Sequence, residues 1–194
     1  MNTDRFRHFL RILAPSLSLI VLFGCAPLPP YNFSLVNVPP SPTVAPYDLK
    51  STVVTLASPS EQTGPMPSDA SDAVPIWQSA LQDAMDRSAV FADPAPASAD
   101  LECKILKIDM PAFGLAMTTD ISAQYQVIDR STGAIVFDQI IDTPGTVPMG
   151  YSVIGVIRAK ESVNVAAQNN IGAFLRTLEG SSIASLRTKT ASIK

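Results

Sequence analysis

The chain has 194 residues, with 14 Lys and Arg against 17 Asp and Glu, a net charge of -3 and a single histidine. That balance supplies no basic patch, so nucleic acid is not expected as a partner, nor is an anionic membrane surface reached by charge. His8 lies in the leading segment described next, and removal of that segment leaves no imidazole for a nucleophile pair, a general base or a zinc site.

Arg5, Arg7 and Arg11 precede an apolar run from Ile12 to Phe23, interrupted by Pro15, Ser16 and Ser18. A basic lead followed by a short apolar stretch has the anatomy of a secretory signal. The run is shorter than the roughly 20 apolar residues a membrane span needs. Its end, Leu22-Phe23-Gly24-Cys25, resembles the bacterial lipobox, with Phe23 bulkier than the small residue usual at that place. The resemblance implies residues 1–24 as a signal peptide, cleavage between Gly24 and Cys25, and lipid on the Cys25 thiol. Two acyl chains meet the two-signal requirement for stable anchoring. The remaining chain then holds 14 minus 3, or 11, basic residues and 17 minus 1, or 16, acidic ones, a net charge of -5. Ala26 stands where lipoproteins kept at the inner membrane tend to carry aspartate, which implies the periplasmic face of the outer membrane.

Residues 25–50 are rich in proline, from Pro27 to Pro46, and show neither helical nor strand periodicity. They are expected as an extended tether that holds the folded part away from the bilayer; a proline-rich ligand for a partner domain is the alternative. Ser51 to Ala57, rich in β-branched residues, is expected as a first strand, followed by a surface loop over residues 58–74. The spacing of Trp77, Ala80, Leu81, Ala84, Met85 and Ser88 predicts an amphipathic helix from Pro75 to Val90, with Asp83 and Arg87 paired on its outer side.

Ala99 to Met110 reads as a strand whose alternation changes phase, which predicts a bulge at Ile105 and Leu106. After a turn over Pro111 to Gly114, Asp120 to Asp129 alternates cleanly, with Ile121, Ala123, Tyr125 and Val127 inward and a wet opposite face. Asp129 to Gly133 is a hairpin connection and Ala134 to Ile141 the next strand. Residues 142–155 are expected as an irregular loop, because Pro144, Gly145, Pro148 and Gly150 punctuate them. A second helix follows from Arg158 to Glu179, with Val163, Ala167, Ile171, Phe174, Leu175 and Leu178 on one stripe and Gly180 as the stop. Residues 181–194 are expected as a flexible tail. The order β-α-β-β-β-α predicts a single α+β domain over residues 51–180, an antiparallel sheet of about four strands with two helices packed on one face.

Chemistry is hard to nominate. Cys103, flanked by Leu101 and Ile105, reads as a buried core thiol. Asp109 with Asp120, and Asp138 with Asp142, read as solvated turn and strand-end residues. No spacing points to a cofactor or a metal site. The loop side chains Met149, Tyr151 and Val153 are the candidate partner-contact residues.

Trp77-x-x-Ala80-Leu81-x-x-Ala84-Met85-x-x-Ser88, then Tyr125-x-Val127-x-Asp129-x-x-Thr132-Gly133-x-x-Val136, and finally Asn169-Asn170-Ile171-x-x-Phe174-Leu175-x-x-Leu178 form a pattern behind the lipobox. It is similar to small periplasmic lipoproteins, including the auxiliary lipoproteins of ABC-type transport systems. The resemblance implies a non-catalytic envelope component, held by lipid on Cys25, that accompanies an export or transport assembly and has a protein partner there. A carrier of lipid or another amphiphile, with a pocket between sheet and helices, is the alternative. An enzyme without histidine would instead need a carboxylate pair in a cleft.

Overall fold

The computed structural model describes residue 28 and residues 30–186. The expected signal segment, with Gly24 and Cys25, lies outside the described residues, as does the chain beyond residue 186. In chain order the elements are β1 (Thr43–Val44), β2 (Tyr47–Leu56), α1 (Ala73–Ser88), β3 (Ala97–Asp109), β4 (Met117–Asp129), β5 (Ile135–Val147), α2 (Gly155–Glu179) and β6 (Ser185–Leu186). A four-stranded sheet, ordered β2-β3-β4-β5, carries both helices on one face, so the α+β architecture is as expected.

The sheet is mixed rather than wholly antiparallel. β3, β4 and β5 form the expected meander, whereas β2 runs parallel to β3. The reason is the connection: the chain leaves β2, crosses the sheet as α1 and comes back alongside, and a crossover of that kind returns a strand in the same direction. The bulge appears where the alternation slips, as a register shift between Ile105 and Lys107. Beyond it, the edge of β3 is covered by the 58–67 loop, which donates Thr63 N–H to the Leu106 carbonyl and accepts Ile108 N–H at Pro65. The loop therefore behaves as an edge cover.

α1 buries the anticipated stripe, Trp77, Ala80, Leu81, Ala84, Met85 and Ser88, and its Arg87 meets Asp83 at 3.1 Å. α2 buries Val163, Ala167, Ile171, Phe174, Leu175 and Leu178 against β4 and β5. Between them and the sheet the space is filled: Trp77, Tyr125, Phe33, Phe174, Leu101 and Ile121 are all fully buried, with Tyr125 stacked on Phe174 at 4.2 Å. The opposite face of the sheet carries Gln124 and Gln126, whose amides both donate to Asp138, and is open to water.

Three further expectations need correction. β5 does not stop at Ile141 but continues to Val147, through Pro144 and Gly145. Pro144 is tolerated because β5 is an edge strand, where a missing N–H breaks no second ladder; its carbonyl accepts from Asn169 Nδ2 at 2.8 Å. The described part of residues 25–50 is not a free tether. Phe33 and Ala45 are fully buried, and residues 31–41 lie along α2 in the groove beside α1. Their backbone needs are met by side chains: Asn32 N–H donates to Asn164 Oδ1 at 3.0 Å, and Arg87 donates to the carbonyls of Leu35 and Val36. This is how an extended, proline-rich strand without its own ladder becomes part of the core. Residues 181–186 are likewise docked, since β6 pairs antiparallel with β1.

A buried polar chain crosses the core. The Tyr125 hydroxyl donates to Asn170 Oδ1 at 2.9 Å, and Asn170 Nδ2 donates to the Ile141 carbonyl at 2.8 Å. Replacing Tyr125 with phenylalanine leaves Asn170 Oδ1 buried without its donor. An unmade buried hydrogen bond of this kind costs about 1–3 kcal/mol. The Tyr125→Phe midpoint in urea should fall accordingly, with an unchanged denaturant slope.

Candidate functional site

One end of the molecule differs from the rest of its surface. The β3–β4 connection, residues 110–116, and the β5–α2 connection, residues 148–154, lie side by side there, because Met117 and Val147 are register partners at the adjoining ends of β4 and β5. Phe113 is 88 % exposed, Leu115 74 %, and Val153 89 %. Met149, Tyr151, Ile154 and Val156 are exposed beside them. Most of the exposed large apolar side chains among the described residues thus gather at one end. Continuous exposed apolar area of this sort marks a contact surface more often than a lone exposed residue does.

The surface is held in shape by a buried cation. Arg158, in the first turn of α2, is only 6 % exposed. It donates through Nη2 to the Gly114 carbonyl at 3.0 Å and through Nη1 to the Ser152 carbonyl. One guanidinium therefore ties both loops to the helix, using the fixed fork that distinguishes arginine from lysine. Met110, Pro111, Phe113, Met117, Val156 and Ala159 line a shallow hollow of about 480 Å³ over Arg158.

Of the residues singled out beforehand, Met149, Tyr151 and Val153 all lie on this surface, the first two in a short 3-10 turn, Met149–Tyr151. Phe113 and Leu115 were not nominated, because the Pro111 to Gly114 segment reads only as a turn. Arg158 reads in the sequence only as the start of a helix. A cation in the first turn, where the helix dipole disfavours it, was the available signal that the side chain has other work.

The groups weighed for chemistry are placed as follows. Cys103 is fully buried, and burial pushes its thiol up to about 12, with a weaker opposing effect from the Tyr125 hydroxyl. A thiol held protonated in this way is a poor nucleophile. Burial likewise drives Tyr125 well above its ordinary value, helped by the nearby Cys103. Asp109 and Asp120 do come together, as exposed register partners at the ends of β3 and β4. Asp138 and Asp142 both sit on β5, opposite Gln126 and Ser122. Among the described residues no group of three or more His, Cys, Asp or Glu is placed to hold a metal ion. No helix among them is long and apolar enough to cross a membrane.

Neither a family model nor a curated protein sequence matches the chain. Solved structures do. Protein XCC0632 from Xanthomonas campestris, of DUF330, is 13 % identical, with 76 % of this chain and 94 % of that one covered at a TM-score of 0.51. The PelC dodecamer from Paraburkholderia phytofirmans is 18 % identical over 72 % of this chain and 92 % of that one, with a TM-score of 0.43. A minor lipoprotein from Acinetobacter baumannii is 9 % identical over 68 % and 93 %, with a TM-score of 0.36. At these identities the likeness is one of fold, which this chain shares with the Xanthomonas protein.

Proposed function

We propose that the chain is a non-catalytic envelope protein, anchored by lipid on Cys25 and facing the periplasm from the outer membrane, that serves as an accessory or assembly component of an export or transport complex. The observation that carries the reading is the apolar end: its shape is fixed by Arg158, and its residues are suited to contact rather than to bond making. The lipobox at Leu22 to Cys25 supplies the anchor, and the buried, protonated Cys103 argues against the one thiol of the domain as a nucleophile. Partner proteins have two surfaces to use, this end and the uncovered face of the sheet, where Val53 and Ile140 are exposed among polar neighbours. An amphiphile carrier is less well supported, because large side chains fill the layer between sheet and helices where its pocket would have to be.

The test is crosslinking and affinity recovery of the full-length protein from its native envelope, with Cys25→Ala alongside. Components of an export or transport complex should be recovered with the unaltered chain and lost with the variant. Recovery of lipid without any protein partner would favour the carrier instead.

A further inference from the structure

The described chain begins at the same end of the molecule as the apolar loops. Tyr31 lies under Lys160, whose Nζ is 4.1 Å from the ring centroid, and Lys160 is little more than one turn into α2. From there the arm runs away from the loops: Asn32 meets Asn164 and Gln168, Leu35 packs beside Gly172, and Ser41 N–H reaches the Ser88 carbonyl at the far end of α1. The direction of the arm is therefore opposite to that expected of a spacer. It carries the chain away from the loops and leaves residue 30 at their end of the molecule. Only four residues separate Cys25 from Pro30, and the five steps between them reach at most about 18 Å. The opposite end of the sheet, at the β4–β5 hairpin, is a 13-residue strand away, about 40 Å.

We infer that the apolar end rests on the bilayer that holds the lipid of Cys25, with Phe113, Leu115, Tyr151 and Val153 in the headgroup and upper acyl region. The inference rests on the anchored reading above and names the occupant of its apolar surface. Three observations converge on it. The segment leading to the anchor emerges at that end, its length is too short to reach around the domain, and the exposed side chains there are the kind that favour a membrane interface, where an aromatic or aliphatic group leaves water while loop backbone stays hydrated. Charge contributes little, in keeping with the acidic balance of the chain. The anchor makes each loop insertion intramolecular, so loops too weak to bind a vesicle by themselves engage it at high effective concentration. The uncovered face of the sheet is then left for protein partners.

The chain has one tryptophan, Trp77, which is fully buried and gives a constant background. Full-length Phe113→Trp, Val153→Trp and Ile135→Trp proteins, purified with their native lipid, would be reconstituted into vesicles of phosphatidylethanolamine and phosphatidylglycerol, with and without brominated acyl chains. Ile135 is exposed at the hairpin end and serves as the distant reference. Emission above the Trp77 background should fall by half or more in brominated vesicles for the two loop variants and stay unchanged for Ile135→Trp, because a bromine quencher in the acyl region reaches only an inserted ring. Two loop positions guard against one variant disturbing its own loop. The mass of the Cys25 peptide separates the two ways of failing. Acylated Cys25 with loop tryptophans no more quenched than Ile135→Trp overturns this inference and leaves the anchor standing. A Cys25 without acyl chains overturns both.

Discussion

Trp77→Ala is expected to lower the unfolding free energy by about 3–5 kcal/mol, the cost of deleting a large aromatic ring from a packed core. Trp77 is fully buried on α1 and holds Phe33 edge-on, with ring centroids 5.6 Å apart, while Phe33 in turn contacts Tyr31 at 5.4 Å. Its Nε1 faces the Tyr125 oxygen without completing an ordinary hydrogen bond. Alanine would therefore remove one of the contacts that hold the proline-rich arm on the domain, the Phe33–Trp77 ring pair, as well as volume from the core. The thermal midpoint should drop by roughly 10 °C, given about 2–4 °C per kcal/mol for chains of this size. Limited proteolysis should then open the backbone near Leu35 to Asn37 before the rest of the domain. Trp77→Phe, which keeps an aromatic contact with Phe33, should lose much less in both measurements.

Gly145→Ala is the second large effect. At Gly145, α2 crosses β5 so closely that a Cβ would lie 2.2 Å from Ala166 N and 2.5 Å from the Ser162 carbonyl oxygen. Both are backbone atoms of a helix, so no side-chain rotation relieves the overlap; either the strand or all of α2 must shift. Overpacking of this sort costs about 1–3 kcal/mol where side chains yield and more where they do not, and we expect about 3 kcal/mol here from chemical denaturation. A neighbouring change, Thr146→Ala, adds no atoms toward α2, since Thr146 is exposed and its hydroxyl pairs with Thr118 across the open face. It should be nearly silent, which distinguishes a local packing defect from general intolerance in β5.

Those two positions also show where the sequence was readable. Trp77 belongs to a stripe repeated at helical spacing over about three turns, and both helices could be placed within a few residues because burial on one face leaves that period behind. β4 was legible for the same reason at period two, and the phase slip in β3 located its bulge. Gly145 misled. Beside Pro144 it has the composition of a turn, yet the glycine is there to let a helix approach and the proline is harmless on an edge strand, so two tertiary reasons imitated a local one. The arm misled differently: Phe33 and Ala45 are buried singly, twelve residues apart, in a groove supplied by other elements, and no periodicity records such contacts. The direction of β2 could not be read from β2 itself, since it follows from the crossover. At the apolar end, Met149, Tyr151 and Val153 stood out as apolar residues in an otherwise punctuated loop, whereas Phe113 and Leu115 acquire meaning only from the loop that folds beside them.

The lengthwise path of the arm has a mechanical consequence. Tension applied at residue 30 and directed outward past the loop end pulls along the axis of residues 31–41, so the Asn32–Asn164, Asn32–Gln168, Arg87–Leu35 and Ser41–Ser88 bonds are loaded together in shear. An arm running the other way would have been peeled one bond at a time. Built as it is, the domain resists being stripped from its leading segment by a force that would easily unzip a transverse strand.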